Sequence, residues 1–334
     1  MRQAVLNQGR FSIETAPDPT PAPGGAVVRV SACGICGTDY GFFLNHLLPD
    51  GVVLGHEIAG EIVALREAGR EWREGDRVAV VPLPWCGQCE VCNRGQHNLC
   101  QKALGHMVGC STTPGGLAEF VAVPTSSLRR LPDRLPLRHG AVIEPVAVAM
   151  AAVRLGEIRP GTRVGVIGLG PLGLFAGLIA RLEGALVLGM DERPTRVRCA
   201  REFGLGAFEA DGLATDRIRD LTLGGPEVVI EASGRPEAIE LAGQMARLGG
   251  RVVLVASYHT ATEIRPVHWL QRGVSLLPSI AYGPADYDAA LALVASGRLD
   301  VASLVTSVQP LDEVQTVFER FPTQNDEIKL LIAP

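Results

Sequence analysis

The amino-acid sequence predicts an α/β protein in two parts. The first is a β-rich half read as a distorted barrel; the second carries parallel strands covered by helices on both faces. Three observations predict this. Up to about residue 145 short apolar segments recur between turn signals; beyond it continuous apolar runs alternate with helix-like stretches; and Gly168, Gly170 and Gly173 follow the first of those runs. With 334 residues, 47% of them hydrophobic, the chain can bury a substantial core and divides most simply into two domains.

In AVVRVSA, residues 26–32, Val28, Val30 and Ala32 alternate with Arg29 and Ser31, the period of a half-buried strand. EIAGEIVAL (57–65) and DRVAVVP (76–82) continue that texture, and APDPTPAPGG (16–25) reads as a rigid loop between two strands. A helical stretch in 137–161 ends near Gly156 and marks the change. The runs RVGVIG, ALVLGMD, EVVIEAS and RVVLVAS that follow suit strands buried on both faces. Toward the C-terminus, DYDAALALVASG and LDEVQTVFERF read as helices and IKLLIA as a last strand, assignable by texture to either half.

The start MRQAVLNQGRFSIE has no basic segment followed by an apolar one, which predicts a reducing, cytoplasmic setting. No apolar run has membrane-spanning length, so no membrane partner is expected. A net charge of −5 with scattered arginines argues against a nucleic-acid surface.

WCGQCEVCNRGQHNLC, residues 85–100, holds four of the eight cysteines. Cys86, Cys89, Cys92 and Cys100 follow C-x2-C-x2-C-x7-C, four thiolates on one loop, which suits a tetrahedral structural zinc. Bacterial iron-sulfur loops begin alike but continue x3-C-P, which is absent here. Gly87, Asn93 and Gly95 supply the turns such a loop needs.

GVIGLGPLGLFAG places Gly168, Gly170, Leu172 and Gly173 between an apolar strand and a helix. There glycines let the backbone approach a pyrophosphate, and the helix N-terminus offers unpaired N–H groups. Asp191 ends the next strand, where an acid can accept from both ribose hydroxyls and repel a 2′-phosphate, favouring NAD over NADP. Arg193 and Arg196 follow closely, and an arginine can also serve NADP; Arg196 can instead stack on adenine or sit on a helix surface. Cys36, His56, Glu57 and Glu144 supply metal-ligating chemistry, and Asp39 can orient His56 by accepting its second ring N–H. A cysteine, a histidine and a carboxylate leave one tetrahedral position open, as a catalytic zinc requires.

In order, ACGICGTD, VLGHEIAGEIVALREAG, WREGDRVAV, the four-cysteine loop, GGLAEFVAVP, AVIEPVAVA and GVIGLGPLGL resemble the zinc-dependent medium-chain dehydrogenases. The likeness is closest to the branch containing sorbitol and L-threonine dehydrogenases, which carries an Glu-Pro pair where classical alcohol dehydrogenases place a cysteine ligand. It implies a GroES-like catalytic domain over 1–146 and 284–334 and a Rossmann domain over 147–283. It further implies a catalytic zinc held by Cys36, His56 and either Glu57 or Glu144, with Thr38 relaying the substrate proton. The four-cysteine zinc would be structural, giving two zinc ions per chain, with NAD as hydride acceptor.

Two positions depart from the pattern. Gly41 stands where many relatives have a relay histidine, with His46 on the same loop as the substitute. In SIAY (279–282), Ala281 replaces a substrate-facing arginine, so Phe42, Leu117 and Tyr282 are read as framing a pocket for a ring. The resulting expectation is oxidation of a secondary alcohol on a polyol, sugar or cyclitol-like molecule. Its rivals are an amino alcohol such as L-threonine or an aminocyclitol, and a catalytically silent protein that binds NAD and zinc. Apolar strand-like material in 252–282 at a sheet edge, with the family likeness, predicts a homodimer or homotetramer.

Overall fold

Strands β1 (Arg2–Asn7) and β2 (Arg10–Thr15) form a hairpin turned by Gln8 and Gly9, at φ 48° and 71°. Two successive positive φ values match the twist of the flanking strands. The computed structural model describes residues 1–67, 69, 71–321 and 327–334; Ala68, inside the quoted stretch 53–69, lies outside them. Two units emerge, 1–144 with 283–334, and 145–282.

Strand β3 (Gly25–Gly34) is the hub of the first unit. It pairs antiparallel with β4 (Glu57–Arg66), β6 (Phe120–Pro124) and β15 (Lys329–Ala333). Beyond these, β5 (Arg77–Val80) joins β4, β7 (Leu128–Arg130) joins β5, and β14 (Val305–Pro310) lies parallel to β15. The alternation read at 28–32 holds, but Ala26, Val27, Cys33 and Gly34 are all buried as well. Several neighbours share this one strand, so its ends are covered on both faces. Gly60 permits that crowding: a Cβ there would lie 2.1 Å from the Arg29 carbonyl oxygen, beside a register shift in the β3–β4 pair.

The core of this unit joins distant stretches. Leu54, Ile58 and Leu117 pack in one cluster with Val317 and Phe318, and Phe318 meets Phe11 at a ring separation of 4.7 Å. The helix Val314–Arg320 and strand β15 therefore belong to the first unit, which texture alone left open.

The second unit is a six-stranded parallel sheet: β8 (Arg163–Ile167), β9 (Leu186–Asp191), β10 (Gly206–Glu209), β11 (Val228–Glu231), β12 (Arg251–Leu254) and β13 (Ser275–Pro278). The spatial order is β10-β9-β8-β11-β12-β13. The chain thus starts in the middle, builds outward to β10, then crosses to β11. That reversal creates a switch point between β8 and β11, where the loops at the strand ends diverge and leave a crevice. Helices Pro171–Leu182, Pro194–Glu202 and Pro236–Met245 each open on a proline, whose ring suits the first helical turn. Among the described residues no helix is long and apolar enough to cross a membrane.

Gly60→Ala tests the crowding at the hub. The added carbon meets backbone, which cannot rotate away, so a loss of about 3 kcal/mol in urea unfolding is expected. An unchanged midpoint would mean that β3 and β4 part freely there.

Candidate active site and nucleotide cradle

The four-cysteine loop folds on itself. Cys89 precedes the one-turn helix Glu90–Asn93, and Cys100 precedes the short helix Gln101–Gly105. Gly87 and Gly95 take φ of 68° and 77°, while Asn93 ends a helical turn and donates from its side chain to the Gln88 carbonyl at 3.4 Å. Sulfur separations are 3.9 Å for Cys86–Cys92, 3.9 Å for Cys89–Cys100 and 3.6 Å for Cys86–Cys100. A tetrahedron with Zn–S bonds of about 2.3 Å has edges of about 3.8 Å, so the four thiols already stand at the corners a zinc ion needs. Backbone N–H groups of Gln88 and Cys89 draw the Cys86 thiol down to about 6, favouring the thiolate. Burial holds Cys92 up at about 12, so a metal must displace its proton.

The second cluster forms where the helix Gly37–Asn45 meets β4. Cys36 caps that helix, its sulfur accepting from the Thr38 N–H at 3.5 Å. Asp39, fully buried in the first turn, serves two partners: one oxygen accepts from the Cys36 N–H at 3.0 Å, the other lies 3.2 Å from His56 Nδ1. A single carboxylate thus sets the helix start and the imidazole together. With Nδ1 engaged, His56 has its other ring nitrogen for a ligand.

Cys36, His56 and Glu57 bring donor atoms within 4.8 Å of one another. Thiolate, imidazole and carboxylate are the donors zinc takes, so the residues fit the metal. Glu144, buried in the first turn of the helix Ile143–Leu155, is not in that group. Glu57 faces Gly34 across the β3–β4 pair, and a Cβ at Gly34 would lie 1.8 Å from a Glu57 oxygen. The bare glycine is what admits the carboxylate. There Glu57 pairs with Lys329 of β15, and both side chains are essentially sealed from solvent. The ammonium also donates to the Ile35 carbonyl at 2.8 Å. Burial works against charge on Lys329, but Glu57, Cys36 and Asp39 together raise its pKa above the ordinary value.

Two of these residues escape motif reading. Lys329 is one of only two lysines in the chain, and its sole signal is a charge inside the apolar strand IKLLIA. Cys110, for which the sequence suggests no role, places its sulfur 3.1 Å from His56 Nδ1. Burial opposes charge on His56, yet Cys110 and Asp39 together raise its pKa well above normal. Cys33 is buried and packs in the core.

Thr38 is half-buried beside Cys36, and Gly41 is buried in the same helix. His46 is exposed at that helix's C-cap, φ 50°, next to Gly9. Phe42 is half-buried against the first unit's core. Leu117, at 0% exposure, lies within that core, which makes it a packing residue there rather than an open wall. Tyr282 is buried in the second unit, and Ala281 takes a left-handed φ of 50°.

In the second unit, Gly168 has φ 85°, and a Cβ on Gly173 would lie 1.9 Å from the Gly168 carbonyl oxygen. Only glycines let the strand, turn and helix close this tightly. Gly170 caps the helix Pro171–Leu182, in which Leu172 is half-buried. Asp191 holds the loop from the side: its oxygens accept from Leu169 N–H at 2.7 Å and Arg193 N–H at 2.9 Å. Arg196 lies 3.6 Å from the same carboxylate and beside Gly170. Gly168, Asp191, Arg193, Arg196, Ala232 and Ser233 line a cavity of about 470 Å³. Gly168 of the glycine turn and Asp191, the acid suited to ribose, face one space.

Residues 22–133 match the alcohol dehydrogenase GroES-like domain family, and residues 171–296 match the zinc-binding dehydrogenase family. The chain is 31% identical over 319 residues to the 2-dehydro-3-deoxy-L-galactonate 5-dehydrogenase of Pseudoalteromonas atlantica, covering 93% of this chain and 92% of the relative. It is 30% identical over 357 residues to the sorbitol dehydrogenase of Bacillus subtilis, covering 100% and 97%. Among solved structures, a protein described as a zinc-binding dehydrogenase of Sinorhizobium meliloti, bound to NADP, superposes with a TM-score of 0.91. It shares 32% identity, with 100% and 99% of the two chains covered. The 2R,3R-butanediol dehydrogenase of Bacillus subtilis gives 0.89 at 28% identity, with 100% and 99% covered. The fold is therefore a GroES-like domain together with a Rossmann-type parallel sheet.

The sealed ion pair makes a sharp stability prediction. Lys329→Met leaves the Glu57 charge buried without its partner and should cost about 3–5 kcal/mol in urea unfolding. Adding Glu57→Gln should restore much of that loss. Additive losses in the double variant would show that the two groups do not depend on each other.

Proposed function

The chain belongs to the zinc-dependent medium-chain alcohol dehydrogenases, and from that premise we propose that it passes a hydride between a secondary alcohol of a polyol or sugar and NAD. As a family member it is a nicotinamide-dependent dehydrogenase acting on CH–OH groups. The observation that carries the reading is the convergence of Cys36, His56 and Glu57 donor atoms within 4.8 Å, with Asp39 fixing the imidazole.

Cys36, His56 and Glu57 hold one zinc, and Cys86, Cys89, Cys92 and Cys100 hold a second. When bound, the first metal lowers the pKa of the substrate alcohol and NAD supplies the hydride acceptor. Asp39 keeps the His56 ring oriented, and Lys329 keeps the Glu57 carboxylate from swinging away. The Thr38 hydroxyl takes the alcohol proton and passes it outward. Gly41 offers no side chain for the next step, which leaves solvent as the acceptor, since His46 is exposed at the far end of the helix.

Asp191 supports NAD over NADP, because a 2′-phosphate would meet its carboxylate. Arg196 is already drawn to Asp191, which weakens it as a phosphate clamp. The residues 1–144 with 283–334 form the catalytic part and 145–282 the nucleotide-binding part. The protein works in the cytoplasm as a homodimer or homotetramer. The edge strand β13, with Leu276, Ile280, Val267 and Leu270 exposed on and near it, favours self-association.

The test is NADH appearance from purified protein with NAD across polyols, sugars, cyclitols, amino alcohols and simple secondary alcohols. Turnover on a polyol or sugar is expected, at least tenfold better with NAD than NADP, with two zinc ions per chain by elemental analysis. Cys36→Ser should abolish turnover and remove one zinc, leaving the other. Turnover confined to amino alcohols would overturn the substrate class, and none at all in zinc-loaded protein would overturn catalysis. Sedimentation should give at least twice the 35.4 kDa chain mass; a single-chain mass would refute the assembly.

A further inference from the structure

Glu231 ends β11, on the far side of the switch point from Asp191, and has no exposed surface. One of its oxygens accepts from the Ser233 N–H at 2.8 Å and also from the Ser233 hydroxyl. The other accepts from the hydroxyl of Tyr258, which lies beyond the end of β12. The Ser233 hydroxyl in turn accepts from the Arg235 N–H at 3.2 Å. One carboxylate thus builds the turn into the helix Pro236–Met245 and grips a second, separate segment.

That second segment, 256–265, has no regular secondary structure. Most of its residues are exposed; Ala256, Tyr258 and Thr262 are half-buried. Tyr258 binds Glu231, and the Thr262 hydroxyl donates to the Pro236 carbonyl at 2.8 Å. Two hydroxyls therefore moor a ten-residue segment to the β11 turn. That turn is part of the cradle: Ala232 and Ser233 line the cavity, and a Cβ on Gly168 would lie 2.7 Å from Ser233 Cα.

In a doubly wound sheet the two halves of a dinucleotide lie on opposite sides of the switch point. Asp191, at the end of β9, marks the adenosine side. The β11 turn shares the cavity of Asp191 through Ala232 and Ser233, and the end of β12, one strand farther out, flanks the nicotinamide side. We propose that Tyr258 is a positioning residue for the nicotinamide half of the cofactor, holding segment 256–265 in place through Glu231. It rests on the nicotinamide-dinucleotide reading. Burial pushes the Glu231 carboxyl above its ordinary value, and burial with Glu231 does the same to the Tyr258 hydroxyl, as suits a tie made away from bulk water.

The experiment separates the cofactor's halves. Wild type is titrated with NADH and NADPH, and the tighter is compared with ADP-ribose, or its 2′-phosphate form, which lacks nicotinamide. Tyr258→Phe, which loses only the hydroxyl, should weaken the reduced dinucleotide about tenfold and ADP-ribose less than twofold. Amide exchange in 256–265 should rise with it. Thr262→Val, cutting the second mooring, should shift the same ratio in the same direction. Equal weakening of both ligands would mean a general stability role and overturn the proposal; so would no change in either. A wild type that binds neither dinucleotide would overturn the cofactor reading itself, an outcome distinct from any confined to the variants.

Discussion

A buried ammonium and a buried carboxylate cannot be left apart, and the Glu57–Lys329 pair turns that requirement into the organising contact of the first unit. Lys329 lies 272 positions beyond Glu57 in the chain, with the whole second unit between them. Desolvating either charge alone would cost several kcal/mol, so β15 must come home to β3 and β4 for the unit to be stable. The same contact places a fixed positive charge beside the residue next to His56. Stability and site chemistry meet in one pair, and the vacancy at Gly34 makes the room.

Around that pair the site is assembled from short-range devices that share atoms. Cys36 is at once a helix cap and a metal donor; Asp39 is at once the reciprocal cap and the holder of His56. Because capping geometry is set by the backbone, the donors inherit its precision without a dedicated scaffold. The four-cysteine loop achieves the same end differently. Its sulfurs are spaced by positive-φ glycines and by single helical turns, and its backbone N–H groups favour the thiolates that a metal needs.

The second unit repeats one device on both sides of its switch point. Asp191 and Glu231 each end a strand, each is buried, and each accepts from the backbone of an adjoining turn. The first shapes the glycine loop and the second shapes the turn opposite. Parallel strands present their ends to one crevice, so acids there can order the loops that surround a ligand while the apolar sheet supplies rigidity beneath.

The sequence by itself determined the parts whose physics is local. Period-two alternation, glycines at a strand-to-helix turn, closely spaced cysteines and an acid at a strand end are read within a few residues, and each appears in the structure as an element or a local cluster. The helix cap formed by Cys36 and Asp39 is equally local, but the structure supplied it: in the sequence Cys36 reads only as a ligand and Asp39 only as the holder of His56. What only the tertiary structure decided are the meetings of residues far apart in the chain: Lys329 with Glu57, Cys110 with His56, and Tyr258 with Glu231. Leu117, read as a pocket residue, became core for the same reason, since burial depends on what the rest of the chain packs around it. No spacing rule links such positions. Their encounter follows from strand order and register, which are set by the burial of the whole apolar surface at once.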